Sequence, residues 1–384
     1  MKIGILTQRL HPNYGGLLQN YALQTVLRRE GHEVLTIDWN AGEKKLSWYL
    51  KVGGLFIAHF LLPKRFNKPE IGYTPTKREQ DFIESNIVYF RDHYLSHTAV
   101  MKSESDFKSK IDQYGFNAFI VGSDQCWRPC YNKYQREMFI SFAEQRTDVR
   151  RIAYAASFGS DKWEFNEALT RDCSRLAAKF DVISVREDSG VELCRNNLGV
   201  KATHVLDPTL LLNKEDYISL VEKEHEQPSG GSLYYYFLDP DDEKLRALRC
   251  IEERSGLVPF SVIPKYNSDH CTKENVKNEI EDCVYPSVTK WLRAFMDAEM
   301  VVVDSFHGMV FSIIFNKPFW VLGNPKRGMT RFESLLKIFN LEGRLIASDQ
   351  ANLIDWHKPI DWESVNQKKI EWQRLSMEVL FKYL

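Results

Sequence analysis

The sequence predicts an α/β protein of two Rossmann-like domains with parallel sheets and an interdomain cleft, on three observations. Short apolar runs recur along the chain, stretches with helical spacing separate them, and this alternation pauses once, near residue 213, before it restarts. Strands alternating with helices imply parallel sheets covered on both faces. At 384 residues the chain is also long for one domain. The expected division is an N-terminal domain over 1–212, a linker over 213–232 and a C-terminal domain over 233–384, whose last helices are able to cross back onto the first.

Lys2–Leu6 reads as the first strand and 17–30, rich in Leu, Gln, Ala and Arg, as a helix closed by Gly31. Further buried strands are expected at 33–37, Ala118–Val121, 151–156, Val182–Val185 and 203–206. The segment 213–232 is strongly charged and ends in Gln227-Pro228-Ser229-Gly230-Gly231-Ser232, the most linker-like stretch of the chain. Alternation resumes with strand 233–238, helix 241–255, strand 259–263, helix 287–298, strand Met300–Val303, helix 305–315 and strand 318–322. Ligands of such sheets bind outside the carboxyl ends of the strands, so a cleft between the domains is the expected site.

A composition of 43% hydrophobic and 27% charged residues is that of an ordinary globular protein. With 51 basic against 52 acidic residues the net charge is -1, which gives no electrostatic case for a nucleic-acid partner, and any anionic ligand must be held by a local cluster. Seven cysteines at irregular spacing read as thiols of a reducing compartment. Cys126 and Cys130 have no second pair at metal-ligand spacing, so no metal site is expected. The N-terminal apolar run is too short for a signal peptide and no run is long enough to span a bilayer, which makes the cytoplasm the expected location. The stretch 46–68 differs from its surroundings: Trp48, Leu55, Phe56, Ile57, Phe60, Leu61 and Leu62 precede Lys64, Arg65 and Lys68. It reads either as an excursion packed on the first domain or as an interfacial segment at the inner face of the membrane.

Four stretches carry candidate chemistry. In Met300–Phe311 a buried strand ends at Asp304, and Asp304 and Ser305 are cap candidates for a helix whose first turn holds His307 and Gly308. A helix start is an anion site, and His307 adds a group titrating near neutrality; the alternative is a cap plus a core histidine. Arg186 follows the strand Val182–Val185, where its fork can grip a carboxylate or phosphate, or form a surface salt bridge with Glu187 or Asp188. Gly122-Ser123-Asp124-Gln125 is a small-residue turn after a strand, with Trp127 either stacking on a sugar or filling the core. Asn13-Tyr14-Gly15-Gly16 with Asn20 forms a glycine turn before the first helix, lacking the dinucleotide fingerprint and the P-loop lysine.

These stretches, with Tyr154-Ala155-Ala156-Ser157-Phe158-Gly159 and His204-Val205-Leu206-Asp207-Pro208-Thr209, resemble in their order the polysaccharide pyruvyl transferase family. The resemblance implies a GT-B-like arrangement, phosphoenolpyruvate as donor substrate with no further cofactor, and a pyruvate ketal bridging two hydroxyls of a glycan or lipid-linked sugar as product. It carries Arg186 and His307 to donor-contacting positions, with Ser305, Phe306 and Gly308 beside them. The N-terminal Asn13, Gly15, Gly16, Asn20, Ser123, Asp124, Gln125 and Trp127 are assigned to the acceptor. Some members have an arginine where this chain has Ser305, so Lys265, Lys290, Arg293, Lys326, Arg327 or helix N–H groups must supply that charge. His307 is the expected general acid/base. The competing readings are a GT-B glycosyltransferase, with Glu252 or Glu253 on a nucleotide ribose, and a non-catalytic glycan- or anion-binding protein.

Overall fold

The computed structural model describes residues 1–40, 73–266, 272–323, 328–353 and 355–384. The first sheet is built from β1 (Lys2–Leu6), β2 (Glu33–Thr36), β3 (Ala118–Val121), β4 (Arg150–Ala156), β5 (Val182–Val185) and β6 (Thr203–His204). Its order is β2-β1-β3-β4-β5-β6 and all neighbours are parallel. β3 is buried at every residue, as a strand covered on both faces must be. The helix after β1 runs Tyr14–Arg29 and starts earlier than its periodicity implied, because the Asn13 side chain accepts the Gly16 N–H at 3.1 Å and caps it. Gly31, just past its end, has φ +80°, the left-handed position that glycine fills without steric cost.

The second sheet contains β7 (Leu233–Tyr236), β8 (Pro259–Phe260), β9 (Met300–Val303), β10 (Phe319–Leu322) and β11 (Leu345–Ile346), again all parallel, in the order β11-β10-β9-β7-β8. Read from β8, this repeats the order of β2 through β5 in the first sheet. Each sheet therefore has one point where the winding reverses, β1/β3 in the first and β7/β9 in the second. Crevices at such points are where open α/β sheets hold ligands. The two reversal points face each other: Gly15, in the first turn after β1, lies against His307, in the first turn after β9.

Several elements depart from expectation. The strands at 203–206 and 259–263 shorten to two residues each, Thr203–His204 and Pro259–Phe260. Residues 213–232 are not extended throughout: Lys214–Lys223 is a helix, started by Asp216 accepting the Asn213 N–H at 3.0 Å and held by buried Tyr217, Leu220 and Val221. The helix Trp362–Phe381 lies against the first domain. Ser376 Oγ accepts the Leu206 N–H at 3.0 Å, Gln373 donates to the Leu210 carbonyl at 2.6 Å, and Phe381 stacks on His32. Further seams join the halves, with Tyr14 donating to the Pro286 carbonyl at 2.9 Å and Asn86 to that of Tyr285 at 2.9 Å. One apolar cluster accordingly contains Ile3 and Ile120 of the first sheet and Val301 and Val321 of the second. No helix among the described residues is long and apolar enough to cross a membrane, and the stretch 46–68 lies outside the described residues.

Candidate active site

β9 is apolar and fully buried, and it delivers the chain to Asp304 and Ser305 at its carboxyl end. Ser305 is the cap of the helix Phe306–Ile314, its Oγ accepting the Gly308 N–H at 3.0 Å. Asp304 does not share that role. Its buried carboxylate accepts the N–H groups of Leu238 at 2.6 Å and Asp239 at 3.1 Å and the Lys244 ammonium at 2.7 Å, which locks the loop after β7 to the end of β9. Gly308 serves packing: a Cβ there would stand 2.6 Å from Ser305 Oγ and 2.8 Å from Val303 Cγ1.

His307 is almost fully buried, with its ring between the two domains. On one side it touches Gly15, where a Cβ would fall 2.1 Å from Nδ1. On the other, Nε2 stands 3.6 Å from Asp207 Oδ2 and makes no hydrogen bond among the described residues. At that distance the pair is a charge contact for a protonated ring, longer than a hydrogen bond.

Asp207 gathers the cluster. Its Oδ2 accepts from Arg186 Nη1 at 2.8 Å and Ser123 Oγ at 3.0 Å, and its Oδ1 from the Thr209 N–H and hydroxyl at 3.0 and 2.7 Å. Burial alone would raise this carboxyl; His307 and Arg186 outweigh burial and hold it well below the usual carboxylate range. Asp124 takes Arg186 Nη2 at 3.3 Å. Its burial is likewise outweighed, by Arg186, His307 and Arg331, so its carboxyl is also depressed. Desolvation acts against the Arg186 guanidinium, but Asp207, Asp124 and Glu187 prevail and raise it.

The structure thus brings Asn13, Gly15, Ser123, Asp124, Gln125, Arg186, Ser305, Phe306 and His307 to one place, though not all to its surface. A narrow slot of about 90 Å³ is lined by Asn13, Gly15, Asp124, Gln125, Asp304, Ser305, Phe306 and His307, with Tyr236, Leu238, Trp291, Arg331 and Phe332. Arg186 lies behind it with a side chain 1% exposed, its fork occupied by protein carboxylates. Neither neighbour expected as its salt-bridge partner takes that part: Glu187 accepts the N–H groups of Phe158 at 2.7 Å and Gly159 at 3.1 Å, and Asp188 faces Lys337.

Three expected positions are corrected. Trp127 is fully buried, stacked on Phe139 at 4.7 Å and donating to the Met138 carbonyl, so it is core and offers no face to a sugar. Asn20 is also fully buried, accepting the Thr36 hydroxyl at 2.7 Å inside the first domain. Gly16 faces the Asn13 side chain that caps its own helix. Lys265 is exposed and ion-paired with Asp282 at 2.6 Å. Lys290 donates to the Gln227 carbonyl, and Arg293 pairs with Asp297. Lys326 and Arg327 lie outside the described residues.

Three contributors were not anticipated: Asp207, which the motif His204–Thr209 contained without a role; Arg331, carried in by the helix Thr330–Phe339; and Tyr131, half-exposed on a neighbouring cavity. That cavity, about 440 Å³, opens at the β1/β3 reversal point and is lined by Gln8, Arg9, His11, Asn13, Trp39, Asn40, Asp124, Gln125, Tyr131 and Lys133. It shares Asn13, Asp124 and Gln125 with the slot. Among the described residues, no group of three or more His, Cys, Asp or Glu side chains is positioned to hold a metal ion.

Two parallel α/β sheets meeting at their reversal points, with a buried histidine on a helix start and a polar cavity beside it, define a double-Rossmann protein with an interdomain site. The sequence profile of the polysaccharide pyruvyl transferase family matches residues 13–326, and the chain belongs to that family, a family of transferases acting on polysaccharide. No curated protein matches the chain in sequence. Solved structures similar to it include the UDP-GlcNAc 2-epimerase of Methanocaldococcus jannaschii, at 12% identity, a TM-score of 0.48 and coverage of 98% of this chain and 100% of that one. The UDP-GlcNAc 2-epimerase of Neisseria meningitidis bound to UDP-GlcNAc has 11% identity, a TM-score of 0.46 and full coverage of both chains, 100% and 100%. A glycosyltransferase from Rickettsia africae has 9% identity, a TM-score of 0.45 and coverage of 99% and 98%. Likenesses at this level carry no functional argument.

Proposed function

We propose that the protein transfers pyruvate from phosphoenolpyruvate to two hydroxyls of one sugar in a glycan, forming a pyruvate ketal and releasing phosphate. The observation that carries this reading is the start of the helix Phe306–Ile314. There His307, an imidazole with one ring nitrogen open to a proton, sits beside backbone N–H groups that favour an anion and over an ionised Asp207.

In the proposed reaction the donor lies in the slot and the acceptor in the adjoining polar cavity, with Tyr131 rather than Trp127 offering an aromatic face. His307 gives a proton to the methylene carbon of the donor as the first sugar oxygen bonds to the carbon bearing phosphate. It then takes the proton of that hydroxyl, which restores its own state. The bond from this carbon to the phosphate oxygen breaks, the second hydroxyl closes the ring, and its proton leaves with the phosphate. Asp207 steadies the imidazolium whenever it forms, and Arg186 keeps Asp207 and Asp124 ionised and oriented. Ser305 fixes the helix start, and the developing negative charge on phosphate meets preformed donors.

The rival reading as a nucleotide-sugar glycosyltransferase fits the charges less well. Above the carboxyl ends of the second sheet a cavity of about 500 Å³ is lined, among the described residues, by Asp239, Asp241, Glu243 and Asp349, with Lys244 already bound to Asp304. Among the described residues that wall presents a diphosphate with four carboxylates and one engaged ammonium. The direct test is incubation with phosphoenolpyruvate and a panel of lipid-linked glycans, scored for a pyruvyl mass increment with stoichiometric phosphate release. Sugar transfer from a nucleotide-sugar with no pyruvyl increment would overturn the assignment.

A further inference from the structure

We propose that Gln125, held by Arg128, selects the hydroxyl pair that reacts: its amide nitrogen donates to one hydroxyl oxygen of the acceptor sugar, and the Asp124 carboxylate beside it accepts the hydrogen of the other. This rests on the reading of the slot as the donor site and of the adjoining cavity as the acceptor site. It adds to that reading a positioning residue, Arg128, and a reason for one hydroxyl pair over another.

Asp124 and Gln125 line both the slot and the larger cavity, so they stand where donor and acceptor must meet. The chain is held tightly there. Asp124 has φ +71°, an uncommon conformation for a residue other than glycine and one that functional sites collect. The Gln125 carbonyl accepts from Gln8 Nε2 at 2.8 Å and from Asn132 Nδ2 at 3.0 Å. Asp124 Oδ1 accepts the Gln125 N–H at 2.8 Å and Arg186 Nη2 at 3.3 Å, whereas Oδ2 accepts from no group among the described residues.

Arg128 sets the direction of the Gln125 side chain. Its Nη1 donates to Gln125 Oε1 at 3.1 Å, and a guanidinium only donates, so the amide oxygen faces Arg128 and the nitrogen faces away. That nitrogen donates to no group among the described residues. Arg128 is itself held by Glu164, at 3.3 Å through Nε and 3.2 Å through Nη2. Gly159, at φ +68°, leaves room for the amide, since a Cβ there would fall 2.0 Å from Gln125 Oε1. The same guanidinium lies over the Tyr131 ring, 5.3 Å from its centroid, so Arg128 orients both the amide and the aromatic wall of the cavity. A donor beside an acceptor matches a diol. One hydroxyl oxygen takes the amide hydrogen, and the next hydroxyl gives its hydrogen to the carboxylate. An amide turned over would present a second acceptor instead, and the match to that pair would be lost.

Steady-state pyruvyl transfer by the full chain tests this, with the lipid-linked glycan that wild type accepts in the panel above as the probe. The variants are Arg128→Met, Arg128→Lys and Gln125→Glu, each also titrated with phosphoenolpyruvate, and NMR of the product locates the ketal. Arg128→Met should raise the glycan KM about 3- to 10-fold, the loss expected for one hydrogen bond, with phosphoenolpyruvate affinity kept within about twofold. A ketal on a second hydroxyl pair should appear beside the first. Either the KM rise with donor affinity kept or the second ketal supports the proposal. Arg128→Lys still has a donor for Gln125 Oε1 and should recover part of the KM. Gln125→Glu keeps the reach and the Arg128 contact but puts an acceptor where the donor was, so its glycan KM should rise at least as far as that of Arg128→Met. A structural arginine gives another pattern: phosphoenolpyruvate and glycan weaken together as the melting temperature falls, and that result overturns the proposal. Should Arg128→Met not fold, Gln125→Glu decides, and a glycan KM within twofold of wild type overturns the proposal. A folded Arg128→Met with wild-type KM and a single ketal sinks the role of Arg128 and Gln125 and leaves the pyruvyl-transfer reading standing. Wild type that pyruvylates no glycan of the panel refutes both.

Discussion

Replacing Gly15 by alanine should disable the site while leaving the fold intact. The Cβ added there would lie 2.1 Å from His307 Nδ1, 2.2 Å from Cγ and 2.6 Å from Cβ. Real Cβ contacts are essentially never below 3.0 Å, so the ring must retreat by about 1 Å. Rotation of the imidazole does not relieve the overlap, since the His307 Cβ is itself too close; the start of the helix Phe306–Ile314 has to back away from the first domain. A displacement of this size in a proton-transferring group costs about 10²-fold in rate. The backbone at Gly15 is already helical and alanine is the better helix former by ~1 kcal/mol, which offsets part of the ~1–3 kcal/mol that the overpacking costs, so the melt should fall modestly while the fold persists. The assay is phosphate release from phosphoenolpyruvate with an accepted glycan, alongside a thermal melt. Gly343→Ala, at a site with nothing within 4 Å, is the control. Turnover of Gly15→Ala within twofold of wild type would show that His307 need not sit where the two domains meet, and the proposed chemistry would lose its centre.

Three further outcomes follow from the same cluster. His307→Gln should keep its melting temperature and lower turnover by about 10²–10⁴-fold, and near-normal turnover removes the general acid/base assignment. Arg186→Lys keeps a charge but loses the fork shared by Asp207 and Asp124, so it should cost about 3 kcal/mol in a urea melt; an unchanged midpoint would mean that the buried carboxylates do not depend on it. Asp207 and Asp124 have depressed folded values, so the stability they contribute is fully present above their unfolded value near about 4 and is lost as pH falls toward the folded values. The melting temperature should therefore decline below about pH 4, and the decline should be shallower in Asp207→Asn; equal slopes would refute the linkage.

What the sequence made legible is what short-range pattern encodes. The strand Met300–Val303, the Ser305 cap and the first-turn His307 lie within eight residues of one another, and each announces itself by residue type. The helix Lys214–Lys223 was hidden by its charge, because only Tyr217, Leu220 and Val221 on one face are buried and the rest reads as linker. Trp127 follows a polar turn and reads equally as a sugar platform or as core; its partners Phe139, Phe158 and Phe180 arrive from later in the chain. Arg331 was illegible for the same reason: nothing near it in sequence marks a site, and it reaches Phe306 only through the packing of two helices. The matched order of the two sheets leaves no sequence repeat, since strand order is a property of crossovers and not of residue identity.

The helix Trp362–Phe381 gives the chain a timetable. The Leu206 N–H in the first domain is satisfied by Ser376 Oγ, 170 residues later, and the Leu210 carbonyl by Gln373. During synthesis at ~5–20 residues per second, the first domain waits about 10–30 s with that edge unfinished. A nascent chain in this interval offers an unpaired backbone and bare apolar surface at Leu206 and Leu210, the kind of patch a ribosome-associated chaperone covers. The last helix closes the first domain.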